Sequence, residues 1–142
     1  MPVGFFLEDG RGSENRGRVT SRGQLITAPL EFSTFYNAAT AADNVAVNVV
    51  PPKAGKAFVI TDLVISGDRS IAAAGAITDI FEADSDTSAV VSKEIYQDEI
   101  AKQTRATLTR LNILVSAGKW INVKSDDVIV RANIGGYYVD AQ

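Results

Sequence analysis

Asp84, Asp86 and Ser88 have the types and the spacing of the first three ligands in a calcium-binding loop. Such a loop also needs a glycine at its sixth position and a bidentate glutamate at its twelfth. The sequence has Ala89 and Ile95 at those two positions. We therefore interpret the segment as an ordinary acidic turn and expect no metal ligands in it.

Gly55 followed by Lys56 suggests a phosphate-binding loop, in which backbone N–H groups surround phosphate oxygens. That loop needs a second glycine five residues earlier, where Val50 stands. It also needs serine or threonine directly after the lysine, where Ala57 stands. Phosphate binding of this kind is excluded.

Catalysis by side chains has little support in the composition. The chain contains no histidine and no cysteine, which removes the commonest general base, the thiolate nucleophile and the usual ligands of zinc and iron–sulfur clusters. The adjacent carboxylates Asp98/Glu99 and Asp126/Asp127 would point to opposite faces of a strand or lie in a turn, so a solvated role is favoured. No Gly-x-Ser-x-Gly motif is present, and a serine assisted by lysine is the remaining formal possibility. We expect no catalytic residue, no metal and no cofactor.

Three aromatic residues, Trp120, Tyr137 and Tyr138, could form a platform on which a sugar or a base stacks. Trp120 is out of phase with the apolar Ile121 and Val123, so the sequence places it on the opposite face of its strand. The adjacent tyrosines must likewise divide between two faces. Packing in the core or between subunits is the favoured interpretation, and all three are candidates for a subunit interface.

The elements that would position these residues belong to one domain, because 142 residues leave no room for a second core. The net charge of −3 argues against attraction to nucleic acid or to an acidic membrane surface. No apolar run approaches the ~18 residues of a membrane helix. The N-terminal residues also lack the basic start and long apolar centre of a secretory signal, so we expect neither export nor insertion.

Residues 1–23 are predicted to form an extended arm, because glycines alternate there with charged residues. Residues 11–22 carry four arginines and one glutamate, a net +3, whereas the rest of the chain carries a net −6. Such an arm suits contact with an acidic partner, and a solvated terminal segment is the alternative. The residues expected to make the contact are apolar or basic: Phe5, Phe6, Leu7, Arg11, Arg16, Arg18 and Arg22.

Residues 24–142 show the period-two alternation of β-strands, clearest where valine recurs at 45, 47 and 49. Residues 58–66 are apolar on both faces, which is typical of a central strand. Residues 93–103 fit either a short helix or a strand followed by a loop. Further strands are predicted over 76–83, 108–115, 119–124 and 128–134, with Gly135 and Gly136 bending the chain after the last. About eight strands at this spacing predict an all-β fold, an antiparallel β-sandwich or jelly roll.

Three stretches carry a family resemblance: GRVTSRGQLI at 17–26, VVPPKAGKAFVIT at 49–61 and GGYYV at 135–139. With them the chain resembles the small jelly-roll head decoration, or cement, proteins of tailed bacteriophages. The resemblance implies a non-enzymatic homotrimer that binds the outside of the major capsid protein shell and stabilises it through a terminal arm, here residues 2–23. It also implies assembly in the host cytoplasm and a final location on the virion surface.

Two alternatives have the same general plan. One is a β-sandwich protein of a phage tail or baseplate. The other is a receptor- or carbohydrate-binding module that uses Trp120 and the two tyrosines for stacking.

Overall fold

The computed structural model describes residues 18–19, 25–26, 34–69, 71, 75–127 and 129–141. The chain divides into two compact units, Met1–Leu30 and Glu31–Gln142. In the first unit, strand β1 (Arg18–Val19) pairs antiparallel with β2 (Leu25–Ile26). The boundary predicted at residue 23 lies outside the described residues.

The second unit contains nine described strands, and no described residue is helical. In chain order they are β3 (Thr34–Ala39), β4 (Val47–Val50), β5 (Lys56–Gly67), β6 (Ala76–Ala83), β7 (Lys93–Ile100), β8 (Arg105–Leu108), β9 (Ile113–Val115), β10 (Trp120–Ser125) and β11 (Val130–Asp140).

These strands form two antiparallel sheets. One has the order β4-β10-β6-β7, and the other has the order β3-β11-β5, with β8 and β9 both pairing with β5. The pairs are nested in sequence, because β3 pairs with β11, β4 with β10, β5 with β8 and β9, and β6 with β7. Nested pairs divided alternately between two sheets give the strand order of a jelly roll. The predicted all-β sandwich is confirmed.

The core lies between the sheets and is formed by the inward face of each strand. On β11 the alternation predicted from the sequence is present, since Val130, Ala132 and Ile134 are fully buried while Arg131 is exposed. The largest fully buried side chains of this core include Ile60, Leu63, Ile65, Ile71, Ile80, Ile121 and Ile134. Burial of each Ile or Leu contributes about 1.5–3 kcal/mol, so this interior is the main source of stability.

An irregularity in β5 changes which of its residues face the core. Gly136 pairs with Ile60 and Gly135 with Asp62, which leaves Thr61 as an extra residue opposite β11. Before the extra residue, Phe58 and Ile60 face the core. After it, the inward positions are odd-numbered, at Leu63 and Ile65. The strand predicted to end at Ile134 instead continues to Asp140, and the register shift lies at Gly135 and Gly136, where the bend was predicted.

Strand pairing decides two further predictions, one in each sheet. Residues 93–100 form a strand, followed by a turn at 101–104, so the helical alternative is wrong and pairing with β6 outweighs local helix propensity. The single strand predicted over 108–115 is also wrong. It is divided between β8 and β9 by Arg110, whose φ of 59° is left-handed, and the N–H of Leu111 donates to the carbonyl oxygen of Thr61 at 2.8 Å.

Candidate functional site

The predicted arm contacts fall mostly beyond the part of the chain that the structure describes. Phe5, Phe6, Leu7, Arg11, Arg16 and Arg22 lie outside the described residues. Arg18 belongs to β1 by its backbone. Their role in binding a partner stays a prediction.

Tyr138 is an internal brace rather than a surface residue of the single chain. Its hydroxyl donates to the carbonyl oxygen of Pro51 at 2.5 Å and accepts a hydrogen bond from the hydroxyl of Tyr36 at 3.3 Å. The ring of Phe58 meets it edge-on at a centroid distance of 4.9 Å, and Lys53 Nζ lies 4.1 Å from its centroid. Together these contacts hold the end of β11 to β3 and to the connection after β4.

The neighbouring Tyr137 points to the opposite side of the five-stranded sheet, where it belongs to an exposed apolar surface. Tyr137 lies opposite Val59, and Val59 lies opposite Leu114, so the three form a row across β11, β5 and β9. Phe35, on the edge strand β3, lies opposite Gly135 in the adjacent row. We call Phe35, Val59, Leu114 and Tyr137 the outer patch.

The outer patch leaves two large side chains in solvent. Phe35 is 69% exposed and Leu114 is 57% exposed, whereas Val59, which lies opposite Leu114, is buried. Asp62 lies across from Gly135 at its margin, and its carboxylate accepts a hydrogen bond from the Thr61 hydroxyl at 2.7 Å. An apolar centre with a polar margin on a rigid sheet is a surface suited to binding another protein.

Sequence reasoning missed Phe35 and Leu114, although both carry a signal. Phe35 alternates with Tyr36, which packs against the core, so its phase is that of the outer face. In β9, Val115 is buried in the core and Ile113 packs against it. Leu114, which lies between them in the strand, must therefore point outward.

Trp120 lies on the outer face of the four-stranded sheet and is half-buried there. It packs on a second, smaller apolar cluster made of Ala46, Phe81 and Ala83. The prediction that Trp120 points away from Ile121 is confirmed, since Ile121 belongs to the main core. The indole is therefore a partly buried side chain that covers this smaller cluster.

The acidic connection between β6 and β7 folds against that same face through Asn122, which is fully buried. The Asn122 amide donates to the carbonyl oxygens of Ser85 at 2.9 Å and Ser88 at 3.1 Å. Its own oxygen accepts from the amide of Asn48 at 3.3 Å. A single buried amide thus fixes the connection to β10 and β4.

The side chains that suggested chemistry make contacts of a structural kind. Asp84 forms an ion pair with Lys119, and the hydroxyl of Ser88 accepts from the N–H of Val90 at 3.2 Å. Asp126 accepts from the N–H of Ile77 at 2.7 Å. Within the described ranges, no three His, Cys, Asp or Glu side chains are grouped so that they could hold a metal ion.

The turn that suggested a phosphate loop closes β5 instead. Gly55 has a φ of 68°, and the N–H of Lys56 donates to the carbonyl oxygen of Lys53 at 3.1 Å. The Lys56 ammonium lies 2.7 Å from the carboxylate of Asp140 at the end of β11. The lysine therefore joins two paired strands.

Glu82 is a buried carboxylate that sequence reasoning did not single out. It is 2% exposed, and its Oε1 accepts from the N–H of Ser116 at 3.0 Å and lies 3.5 Å from Lys93 Nζ. The sequence does contain an indication of this burial, because Glu82 has the same alternation phase along β6 as Thr78 and Ile80, which are also buried. The carboxylate ties the β9–β10 turn to the start of β7.

Tyr96 and Asp98 face the same side of β7 and are joined by a hydrogen bond of 2.7 Å from the phenol to the carboxylate. Burial is the largest cause that raises the pKa of Tyr96, and with the hydrogen bond to Asp98 and the negative charge of Asp98 it brings the pKa from 10.0 to about 12. The phenol is therefore a neutral hydrogen-bond donor at physiological pH and is unsuited to act as a base.

Comparison of the chain with protein-family models, with curated proteins and with solved structures gives no match. Among the described residues, no helix is long and apolar enough to cross a membrane.

Proposed function

We propose that this protein is a non-enzymatic virion protein, a decoration or cement protein that binds the outside of a major capsid protein shell as a homotrimer and stabilises it. The outer patch is the observation that carries the proposal. It presents Phe35 and Leu114 to solvent on a sheet whose other face forms the core, so the surface is already ordered before it meets a partner.

The remaining support comes from the fold and from the roles of the polar side chains. Jelly-roll domains are frequent in viral capsids, and this one is held by internal hydrogen bonds such as those of Asn122 and Glu82. A fold whose buried polar groups hold its own loops and strands in place suits a protein with a structural role.

The N-terminal segment supplies a second proposed attachment. Phe5, Phe6 and Leu7 are proposed to hold the capsid protein by apolar contact, and the arginines between residues 11 and 22 to guide approach to an acidic surface. The outer patch and this segment would then share the binding energy.

Copy counting in purified virions tests the proposal first. Quantitative mass spectrometry against the major capsid protein should find the protein in the hundreds of copies that a shell requires. A handful of copies would instead place it in a tail or baseplate, and its absence from virions would reject a virion role.

Binding to empty shells tests the outer patch itself. The double variant Phe35→Ser/Leu114→Ser should bind shells more weakly than the wild type while keeping its far-UV spectrum. The control is Ile77→Ser/Val90→Ser, which removes two apolar side chains of similar exposure, 51% and 74%, from other surfaces. Equal binding by the two double variants would show that the outer patch is not the shell contact.

A receptor- or carbohydrate-binding module is a second candidate because Trp120 is partly exposed and adjoins the ion pair of Lys119 with Asp84. Sugar sites combine an aromatic face with polar groups beside it. Glycan-array binding that is lost in Trp120→Ala and kept in Phe35→Ser/Leu114→Ser would favour this candidate over shell decoration.

A further inference from the structure

The sandwich has two free strand edges on one of its sides. In the described part of the chain, β7 pairs only with β6 and β8 pairs only with β5, so each ends its sheet. The chain passes from one edge to the other through only four residues, 101–104. This connection is a tight turn in which the N–H of Thr104 donates to the carbonyl oxygen of Ala101 at 3.1 Å.

The two edges carry opposite charge. Strand β7 contains Glu94, Asp98 and Glu99, all exposed, while its one cation, Lys93, lies beside the buried Glu82. Residues 101–112 contain Lys102, Arg105 and Arg110 and no acidic residue. Among the described residues, no ion pair includes any of these three cations.

This distribution discriminates between the possible contacts of one copy with another. Two β7 edges would bring carboxylates together, and two β8 edges would bring cations together, so both contacts between like edges are repulsive. A β7 edge against a β8 edge is attractive, and it also brings together main-chain N–H and C=O groups that no other described strand uses.

We propose that copies of this chain associate through β7 of one copy against β8 and the following basic residues of the next. The contact is heterologous, so it must repeat around a ring or continue as a filament. Both edges lie on one side of the domain. Three copies can therefore turn that side toward a common axis, so that β7 of each copy meets β8 of the next. The ring of three rests on the homotrimer of the proposed function, but the contact requires no capsid.

Charge reversal in the full-length protein tests the contact. We expect the wild type to have the mass of a trimer by light scattering at low salt and to dissociate as salt is raised. Lys102→Glu/Arg105→Glu and Glu94→Lys/Glu99→Lys should each give monomers. The control Asp43→Lys/Asp86→Lys changes charge as much as the second of these at exposed sites away from both edges, and it should stay trimeric.

Combining the reversals shows whether the effect belongs to the contact or to loss of folding. One chain with all four edge substitutions should recover the trimer, since its edges are again complementary. A mixture of the two separate double variants should form no closed trimer, because alternation of two kinds of subunit fails in a ring of odd number.

A wild-type monomer at about 1 mM, where even a weak contact is populated, would overturn the inference. Trimers that survive either reversal, or a trimer from the mixture, would overturn it equally. Since no shell is present, these outcomes leave the attachment to capsids to be decided by copy counting.

Discussion

The ring of Phe35 lies over Gly135, so close that a Cβ on residue 135 would come within 2.6 Å of ring atom Cε1. The glycine thus creates the space in which the most exposed part of the outer patch lies. Gly136 is different, because a Cβ there would collide with the carbonyl oxygen of Val59 and approach the Phe58 ring to 2.7 Å.

The two glycines should therefore differ in their response to substitution by alanine. Gly135→Ala should cost less than about 1 kcal/mol in the free energy of unfolding, because Phe35 is an exposed side chain with room to rotate away. Gly136→Ala should cost about 3 kcal/mol, since it meets backbone and a packed aromatic ring. Urea denaturation of both variants measures the difference, and equal losses would contradict this account.

Tyr96 predicts a specific loss of stability in alkaline solution. Its pKa rises from 10.0 to about 12 on folding, so between these values the unfolded chain has released a proton that the folded chain retains. The unfolded state then binds fewer protons, and the free energy of unfolding must fall as pH rises through this window. The contribution is fully present below pH 10 and lost above the folded pKa.

Two variants separate the causes of the Tyr96 shift in a spectrophotometric tyrosinate titration. Tyr96→Phe should remove the component that titrates near pH 12 and should flatten the alkaline loss of stability. Asp98→Asn should move that component only part of the way toward 10, since burial is the larger cause. A titration curve unchanged by Tyr96→Phe would assign the late component elsewhere.

Glu82 predicts a cost of removing one buried acceptor. In Glu82→Ala the N–H of Ser116 loses the carboxylate oxygen to which it now donates, and such a loss costs about 1–3 kcal/mol. Asp86→Ala, at an exposed position in the connection between β6 and β7, is the control and should change stability by no more than about 0.5 kcal/mol. If both variants unfold at the same urea concentration, the Glu82 contact contributes nothing.

Strand periodicity could be read from the sequence wherever a strand keeps one phase along its length. The inward positions of β11 from Val130 to Ile134 are an example, as is Trp120 against Ile121. The phase change at Thr61 could not be predicted in this way, because an extra residue in one strand is defined only by the register of its partner. The division of β8 from β9 lies opposite that irregularity, since the N–H of Leu111 donates to the carbonyl oxygen of Thr61.

The candidate surface was less predictable than the fold. The sequence predicts that Tyr137 and Tyr138 point to opposite faces of their strand. Which of the two is buried depends on the positions of Pro51 and Tyr36, which the sequence does not show. Phe35 and Leu114 join Tyr137 only through cross-strand pairing between distant segments. A single sequence shows the phase of each residue and not its neighbours across the sheet.

The N-terminal segment gives the last prediction. Deleting residues 2–23 should leave the far-UV spectrum of the sandwich nearly unchanged and weaken attachment to shells. Burial of a phenylalanine contributes about 1.5–3 kcal/mol, whereas an exposed ion pair of arginine typically contributes ~1 kcal/mol or less. Phe5→Ala/Phe6→Ala should therefore cause most of the loss of binding.

Arg16→Ala/Arg18→Ala is the matched pair for that comparison and should weaken binding less. Its effect should also shrink as salt is raised, because salt screens the arginines and not the phenylalanines. Co-sedimentation with empty shells at two salt concentrations measures both variants. Undiminished binding by the truncated protein would show that the segment takes no part in attachment and that the outer patch alone must hold the shell.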